Sequence, residues 1–328
     1  MTSSEASRSS ALLTGTGLRR ERAVDDTLAP RRRTRRRIAP YVLLIPAVGI
    51  LVIALGYPLI WQLITSMQKF GLAQQFGKPA DFVWFANYIA LATDPYMWTV
   101  IGRSLAFCFV AAGCTMVVGT LFGVLMSTVN RGVRIVLQIS MLLVWAMPVV
   151  AAMTIWTWLF DWHRGMVNWL LTGMGLDFHD HSWLQNPISF FAVGALVVIW
   201  MSTPFVAFCV YAGLVQVPGE VLEAAEMDGA GARQRFWGII VPMIRPILAI
   251  VLLLQVIWDL RVFTQIKLLQ DAGSIASETN VLGTYIYQLG TGSSDFGTAS
   301  AVSIFVLLLT IMLSAFYVRS LVREDDEP

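Results

Sequence analysis

Charged residues are scarce in this sequence of 328 residues, where Asp, Glu, Lys and Arg together make up 13% of the chain. Soluble domains carry about 25% of such residues. Hydrophobic residues make up 56% of the chain, and the mean hydropathy is +0.66. This composition excludes an ordinary soluble protein and indicates an integral membrane protein. The net charge of only +2 gives no reason to expect a nucleic-acid partner.

Cysteine and histidine are also rare, with three residues of each type. Cys108, Cys114 and Cys209 lie in apolar runs and have neither the spacing of a metal site nor that of a disulfide framework. We therefore predict three small buried apolar residues. The histidines fall in one segment, 161–187, together with several aspartates. A metal site is conceivable there, but polar loop residues are the better interpretation.

Long apolar runs, in contrast, are abundant. A membrane-spanning helix needs about 20 apolar residues. Six stretches are long enough: 38–67, 98–128, 133–160, 188–215, 246–269 and 297–320. We predict an all-α integral membrane protein with six transmembrane helices. Pro148 and Pro204 are predicted to interrupt and kink the third and fourth spans.

The arginines predict the orientation of the spans. Six of them lie between residues 31 and 37, directly before the first apolar run. Lys and Arg gather on the cytoplasmic side of a membrane, so this cluster is interpreted as a topology anchor rather than a nucleic-acid site. Both termini are then cytoplasmic. The predicted organisation is a disordered Arg-rich tail (1–37), a membrane domain (38–320) with a cytoplasmic loop (216–245), and a cytoplasmic C-terminal tail (321–328).

The cytoplasmic loop contains a charged segment with several glycines, EVLEAAEMDGAGARQRFWGIIVPMIRP at 220–246. Pro218 suits the first turn of a helix, and acidic side chains near a helix N-terminus are favoured by its dipole. Gly229 is predicted to end that helix. The acidic and small residues of the helix are Glu220, Glu223, Ala224 and Ala225. The pattern predicts a short surface helix that docks into a groove on a partner.

Two features lie inside the predicted spans. Gly119 and Gly123 form a GxxxG pair, which predicts close helix packing. The fifth span contains Gln255, Trp258 and Asp259. Polar and ionisable groups at membrane depth usually face a partner helix or a water-filled path. For Asp259 we favour the path.

The cytoplasmic segment resembles a known family. Its EAA, followed after three residues by Gly and after nine more by Ile-x-Val-Pro, is similar to the signature loop of binding-protein-dependent ABC importer permeases. The matching residues are Glu223, Ala224, Ala225, Gly229, Ile239 and Pro242. Val241 stands where Leu is usual. The string MDGAGARQRFWGIIVP resembles the sugar-permease branch, of maltose and glycerol-phosphate type. The segment LLQDAGS at 268–274 departs from the Gly-Gly-Pro turn common in relatives.

The resemblance implies a type I ABC importer permease core in a bacterial cytoplasmic membrane. The helix around Glu223 would be the coupling helix. The implied ATPase-coupling residues are Glu220, Glu223, Ala224, Ala225, Asp228, Gly229 and Pro242. The chain lacks a GxxxxGK[ST] motif, so we expect no catalytic site and no cofactor in it, with ATP and Mg bound by a partner ATPase. The implied partners are a second homologous permease, two ATPase copies, an extracytoplasmic solute-binding protein, membrane lipid and a sugar, a di- or oligosaccharide.

The resemblance also implies a substrate path along the fourth and fifth spans. The candidates are Ser202, Phe205, Gln255, Trp258 and Asp259. Core packing or lipid contact is the alternative for Phe205 and Trp258. A secondary transporter driven by an ion gradient remains an alternative function, but it would predict an internal repeat, which the sequence does not show. A membrane enzyme such as a glycosyltransferase would require clustered acids or histidines at the surface.

Overall fold

The structure is a computed structural model that describes residues 31–325, with side chains from 44 to 319. Most of the predicted tail, 1–30, and the last three residues lie outside the described residues. The chain divides into two compact units between Pro58 and Leu59. The described part of the first unit is the beginning of helix α1 (Arg31–Ser66), whose apolar side chains such as Ile45 and Ile53 are 64% and 72% exposed. A lipid-facing span has this character.

The rest of the chain is mainly helical. The longer helices are α3 (Ala86–Thr93), α4 (Pro95–Thr128), α5 (Arg131–Ala146), α6 (Val149–Leu159), α7 (Met166–Gly173), α8 (Pro187–Val215), α9 (Gly219–Met227), α11 (Val241–Leu260), α12 (Thr264–Asp271) and α15 (Phe296–Asp325). The short elements are β1 (Gln68–Lys69), α2 (Leu72–Gln75), β2 (Asp81–Phe82), α10 (Ala232–Arg235), α13 (Ala276–Thr279), α14 (Leu282–Tyr287) and two π-helical turns, Phe236–Ile240 and Gln288–Gly292.

The predicted six spans are present if one bent helix pair is counted as a span. Five helical segments of the described chain are long and apolar enough to cross a membrane by themselves. Helices α5 and α6 pass that test only together, and they are bent by 99° where they meet. The small departure from an all-α fold is the antiparallel pairing of β1 with β2, in which Gln68 faces Phe82.

The prolines act differently from the prediction in one of the two spans. Pro148 lies at the bend, as the N-cap of α6. Pro204, in contrast, lies inside a continuous α8, so the predicted interruption of the fourth span is wrong. Thr203 donates its hydroxyl hydrogen to the carbonyl of Ile199 at 2.7 Å, and both Thr203 and Pro204 are buried. Packing on α4 therefore keeps α8 helical at Pro204, where proline removes one backbone hydrogen bond.

The fifth span differs from its predicted bounds at both ends. Continuous helical turns run from α10 through the first π-helical turn into α11, so Pro242, predicted to lie in the loop, and Pro246, predicted to begin the span, both lie within helix. At the other end α11 stops at Leu260, and α12 begins after a break at residues 261–263. The break was not predicted, although polar residues mark it: Asp259 lies before it, Arg261 within it and Thr264 after it.

Helices α4 and α8 form the closest pair, and small residues make this possible. A Cβ atom on Gly119 would lie 2.5 Å from Cβ of Val206, and one on Gly123 would lie 2.8 Å from Cγ1 of Val210. Such distances leave no room for a side chain. The close packing predicted from the GxxxG pair is therefore confirmed.

The cysteine prediction holds in part. Cys108 is buried and Cys209 is half-buried, but Cys114 is exposed, so its predicted burial is wrong. Cys114 lies on a side of α4 that no other described element covers. An apolar environment alone, which a lipid also provides, does not decide whether a residue is covered by protein.

Asn280 holds the segment before the last span. Its amide nitrogen donates to the hydroxyl of Tyr96 at 2.9 Å and to the side chain of Gln288, and its oxygen accepts from Gln270 at 3.1 Å. Asn280 is only 1% exposed. These bonds tie α12, α4 and the second π-helical turn together, which makes this connection a rigid part of the membrane domain.

Candidate coupling and translocation sites

The predicted surface helix is α9, and its ends follow from local sequence. Pro218 is its N-cap, and Glu220 lies in the first turn. At its other end the N–H of Gly229 donates to the carbonyl of Glu226 at 3.0 Å, and that of Ala230 donates to Ala225 at 2.9 Å. These two bonds form a Schellman motif, which requires a left-handed residue. Gly229 provides it with a φ of +83°.

Helix α9 is bare. None of its residues is buried in the described chain. The residues Glu220, Glu223, Ala224, Asp228, Gly229 and Pro242 are exposed, and Ala225 is half-buried. The side chain of Met227 is also accessible, and this residue is 89% exposed. A short helix with an accessible face of small residues, next to an exposed methionine, can dock into a groove of another protein.

An ion pair joins α9 to the chain that follows it. Oε2 of Glu226 lies 2.6 Å from Nη1 of Arg235, across the turn that contains Gly229. The Arg235 side chain is 25% exposed and that of Glu226 is 67% exposed. Arg235 is the last residue of α10 and leads into the turns that become α11.

A cavity of about 400 Å³ lies beside α8 and the end of α11. Four of the five predicted path residues line it: Ser202, Phe205, Trp258 and Asp259. The rings of Phe205 and Trp258 lie 5.0 Å apart. Trp258 is 46% exposed, whereas Asp259 is 3% exposed. An aromatic surface and a few polar atoms therefore face the same space.

Gln255, the fifth predicted residue, lies behind this cavity. It is fully buried, and its Nε2 donates to Oδ1 and Oδ2 of Asp259 at 2.9 and 3.0 Å. Its own Oε1 has no hydrogen-bond partner among the described residues. Gln255 therefore orients the carboxylate of Asp259 rather than facing the cavity.

Two helix breaks meet at the same cavity. Met147 and Val149 flank the bend between α5 and α6. Residues 261–263 form the break between α11 and α12. All five residues line the cavity. Irregular backbone at membrane depth is tolerated where it lines a cavity. Two residues that the sequence did not predict, Trp145 and Phe263, also line this cavity. The position of Trp145 three residues before Pro148 was the available signal.

The histidine segment forms a separate polar cluster. Nδ1 of His163 lies 2.8 Å from Oδ1 of Asp180, and Nδ1 of His179 lies 3.1 Å from its Oδ2. The hydrogen bond from His163, followed by the charge of His179, lowers the pKa of Asp180 below its ordinary value. Asn168 accepts from the indole of Trp183 at 2.6 Å and holds the loop together. No three metal-ligating side chains of the described chain are grouped to hold an ion.

This loop also lines the larger cavity, of about 640 Å³. His163 and His179 both bond to Asp180 there, and none of the residues that line this cavity belongs to α8 or α11. The smaller cavity is therefore the better candidate for the substrate path, because four of the five predicted path residues line it and Asp259 is hydrogen-bonded there to Gln255 of its own helix.

The fold defines a multi-span helical membrane protein, and comparisons with known proteins identify its family. Residues 119–323 match the family described as binding-protein-dependent transport system inner membrane component. The chain belongs to this family. The prediction of an ABC importer permease is thereby confirmed, and the gradient-driven carrier is not supported.

Relatives agree over most of the chain. The diacetylchitobiose uptake system permease protein of Streptomyces coelicolor is 37% identical over 88% of both chains. The sulfoquinovosyl glycerol transport system permease protein of Agrobacterium fabrum is 30% identical over 88% of this chain and 92% of its own. A bacterial ABC transporter involved in import of the acidic polysaccharide alginate has a chain with the same fold, with a TM-score of 0.76 at 23% identity, covering 89% of this chain and 98% of its own.

Proposed function

We propose that this chain is one of two permease subunits of an ATP-driven importer, and that it forms half of the path for a di- or oligosaccharide. The observation that carries the proposal is the exposed helix α9, which buries none of its residues and contains Glu223, Ala224 and Ala225 of the predicted signature. The named substrates of the relatives, diacetylchitobiose and sulfoquinovosyl glycerol, support a sugar derivative.

The chain itself is proposed to have no catalytic site and to bind no cofactor. ATP and Mg²⁺ would be bound by two copies of a cytoplasmic ATPase, each of which holds one coupling helix in a cleft. Glu223 and Ala224 are exposed on α9 and would contact that cleft, with Met227 as an apolar anchor. ATP-driven closure of the two ATPases would bring the coupling helices together and turn the permease pair from inward-open to outward-open.

In the proposed translocation step, the sugar enters the cavity at α8 and α11 from an extracytoplasmic binding protein. Sugars offer apolar C–H faces and hydroxyl groups, which aromatic rings and hydrogen-bonding groups recognise. Phe205 and Trp258 would take the ring face. Ser202 and the carboxylate of Asp259 would accept hydrogen bonds from hydroxyls, with Gln255 holding the carboxylate in place. The second permease would provide the opposite wall.

The arginine distribution supports the proposed orientation, in which α9 and both termini are cytoplasmic. Arg131, Arg134, Arg233 and Arg235 then lie on the same side of the membrane as the Arg-rich residues before the first span. The proposed organisation keeps a cytoplasmic tail at 1–37, a coupling loop at 216–245 and a cytoplasmic end at 321–328.

Co-purification tests the proposal. The chain is expressed with its neighbouring genes and purified through a tag. We expect a second permease and an ATPase to be recovered, and we expect Glu223→Lys or Gly229→Asp to reduce ATPase recovery, because both change the exposed surface of α9. Glu278→Lys and Gly175→Asp are matched controls, since they change an exposed glutamate and a left-handed glycine far from α9 in sequence. Recovery of no ATPase with the unmodified chain would refute the proposal.

A further inference from the structure

The orientation of α9 is not explained by packing. The helix has no buried residue. A short connection joins α8 to α9, and Pro218 in it is the N-cap of α9. A turn that contains Gly229 and Gly231 follows α9. Glycine permits more backbone conformations than any other residue. A helix that ends at such a turn takes its direction at that end from the polar contacts that reach it.

The Glu226–Arg235 ion pair is such a contact, because it joins the residues before the glycine turn to the residues after it. Its 2.6 Å distance joins the last turn of α9 to the last residue of α10. Arg235 is three-quarters buried as a side chain, whereas Glu226 is mostly exposed. The arginine is therefore the fixed partner, and the glutamate is the one that moves with α9.

Arg235 is also continuous with the membrane domain. The π-helical turn and α11 follow it without a break. In α11, Ile244 and Val251 pack against Val206 and Val210 of α8 in one core cluster. The same helix carries Asp259 at the cavity, about 36 Å from Arg235 at 1.5 Å per residue. A displacement that reaches Arg235 is thus passed on to a rigid, packed helix.

We propose that the Glu226–Arg235 ion pair is a brace that fixes the angle between the coupling helix and the fifth span, which makes Arg235 a positioning residue for coupling. The inference rests on the proposed function of α9. With the brace, motion of α9 in its ATPase cleft moves α11. Without it, α9 turns about the Gly229–Gly231 segment, so the ATPase stays bound while its motion no longer reaches the cavity.

The brace is separable from folding. The side chain of Glu226 is 67% exposed, and substitutions of exposed residues usually change stability little, so Glu226→Arg leaves the membrane domain intact. Arg233 is the matched control, because it lies two residues away and forms no ion pair within the described chain. Exchanging the two charges, Glu226→Arg with Arg235→Glu, restores the attraction with the partners reversed.

A first experiment measures the angle directly and requires no sugar. Spin labels are attached to cysteines placed at the exposed residues Met227 and Ile250, after Cys108, Cys114 and Cys209 are replaced by alanine, and the distance distribution is recorded by pulsed electron resonance. We expect Arg235→Glu to broaden the distribution, the charge exchange to narrow it again, and Arg233→Glu to leave it unchanged. An unchanged distribution in Arg235→Glu would overturn the brace.

A second experiment measures coupling in the assembled transporter. Diacetylchitobiose and maltose are the probes, and uptake per ATP hydrolysed is compared in proteoliposomes that contain the binding protein. We expect Glu226→Arg and Arg235→Glu each to lower this ratio by roughly fivefold with full ATPase recovery, within the usual range of coupling between sites. The charge exchange should restore it. Full ATPase recovery with an unchanged ratio in the single variants refutes the brace alone, whereas no ATPase on the unmodified chain refutes the proposed function.

Discussion

Helices α8 and α9 follow one another in the chain but relate to the rest of the protein in opposite ways. Twelve residues of α8 are buried, whereas none of α9 is. The first helix is held by contacts within the chain, and the second carries Glu223, Ala224 and Ala225 of the predicted coupling signature and has no buried residue. If α9 is the coupling helix, as we propose, the protein separates residues that build its fold from residues that contact another subunit.

The largest expected effect on stability comes from disrupting the packing of α8 against α4. Gly119→Leu inserts a side chain where Cβ alone would lie 2.5 Å from Val206, so we expect a loss of about 3 kcal/mol or more of stability. The thermal unfolding midpoint of the purified chain measures it. Gly113→Leu on the same helix is the control, because no atom lies within 4 Å of its added Cβ. Equal midpoints for the two variants would contradict the close packing.

A smaller effect is expected behind the cavity. Gln255→Leu removes both hydrogen bonds to the buried carboxylate of Asp259, which should cost about 1–3 kcal/mol of stability. Replacing both partners, Gln255→Leu with Asp259→Leu, removes the unsatisfied group and should recover most of that loss. We expect the double variant to fold but to lose sugar uptake. Normal uptake in the double variant would exclude Asp259 from the path.

The smallest effect concerns an exposed loop. The folded-state pKa of Asp180 is depressed, so its bond to His163 contributes above the unfolded pKa and is lost as pH falls through the lower folded value. We expect Asp180→Asn to speed hydrogen exchange in residues 161–181 at neutral pH, without a change in the unfolding midpoint. The difference from the unmodified chain should disappear in acid. A shift of the midpoint would show that this loop supports the membrane domain.

Short-range patterns predicted much of this structure. The GxxxG pair predicted close helix packing, which occurs between α4 and α8, and the left-handed Gly229 ends α9 where its sequence indicated. Both depend on glycine, whose missing side chain acts locally. Pro204 was misread for the opposite reason, because burial against α4 keeps α8 continuous despite the lost hydrogen bond. The break at 261–263 was missed because the polar residues around it were interpreted as part of one continuous span.

The sequence by itself determined that the chain is a helical membrane protein and predicted a docking segment, because hydropathy and the signature residues around α9 act along the chain. Only the tertiary structure decided that the bend of α5 and α6 and the break after α11 line one cavity, and that Gln255 supports Asp259 from behind. The reason is physical: a helix periodicity tells which residues share a face, but the neighbour that packs on that face decides whether they are buried, exposed or set against a cavity.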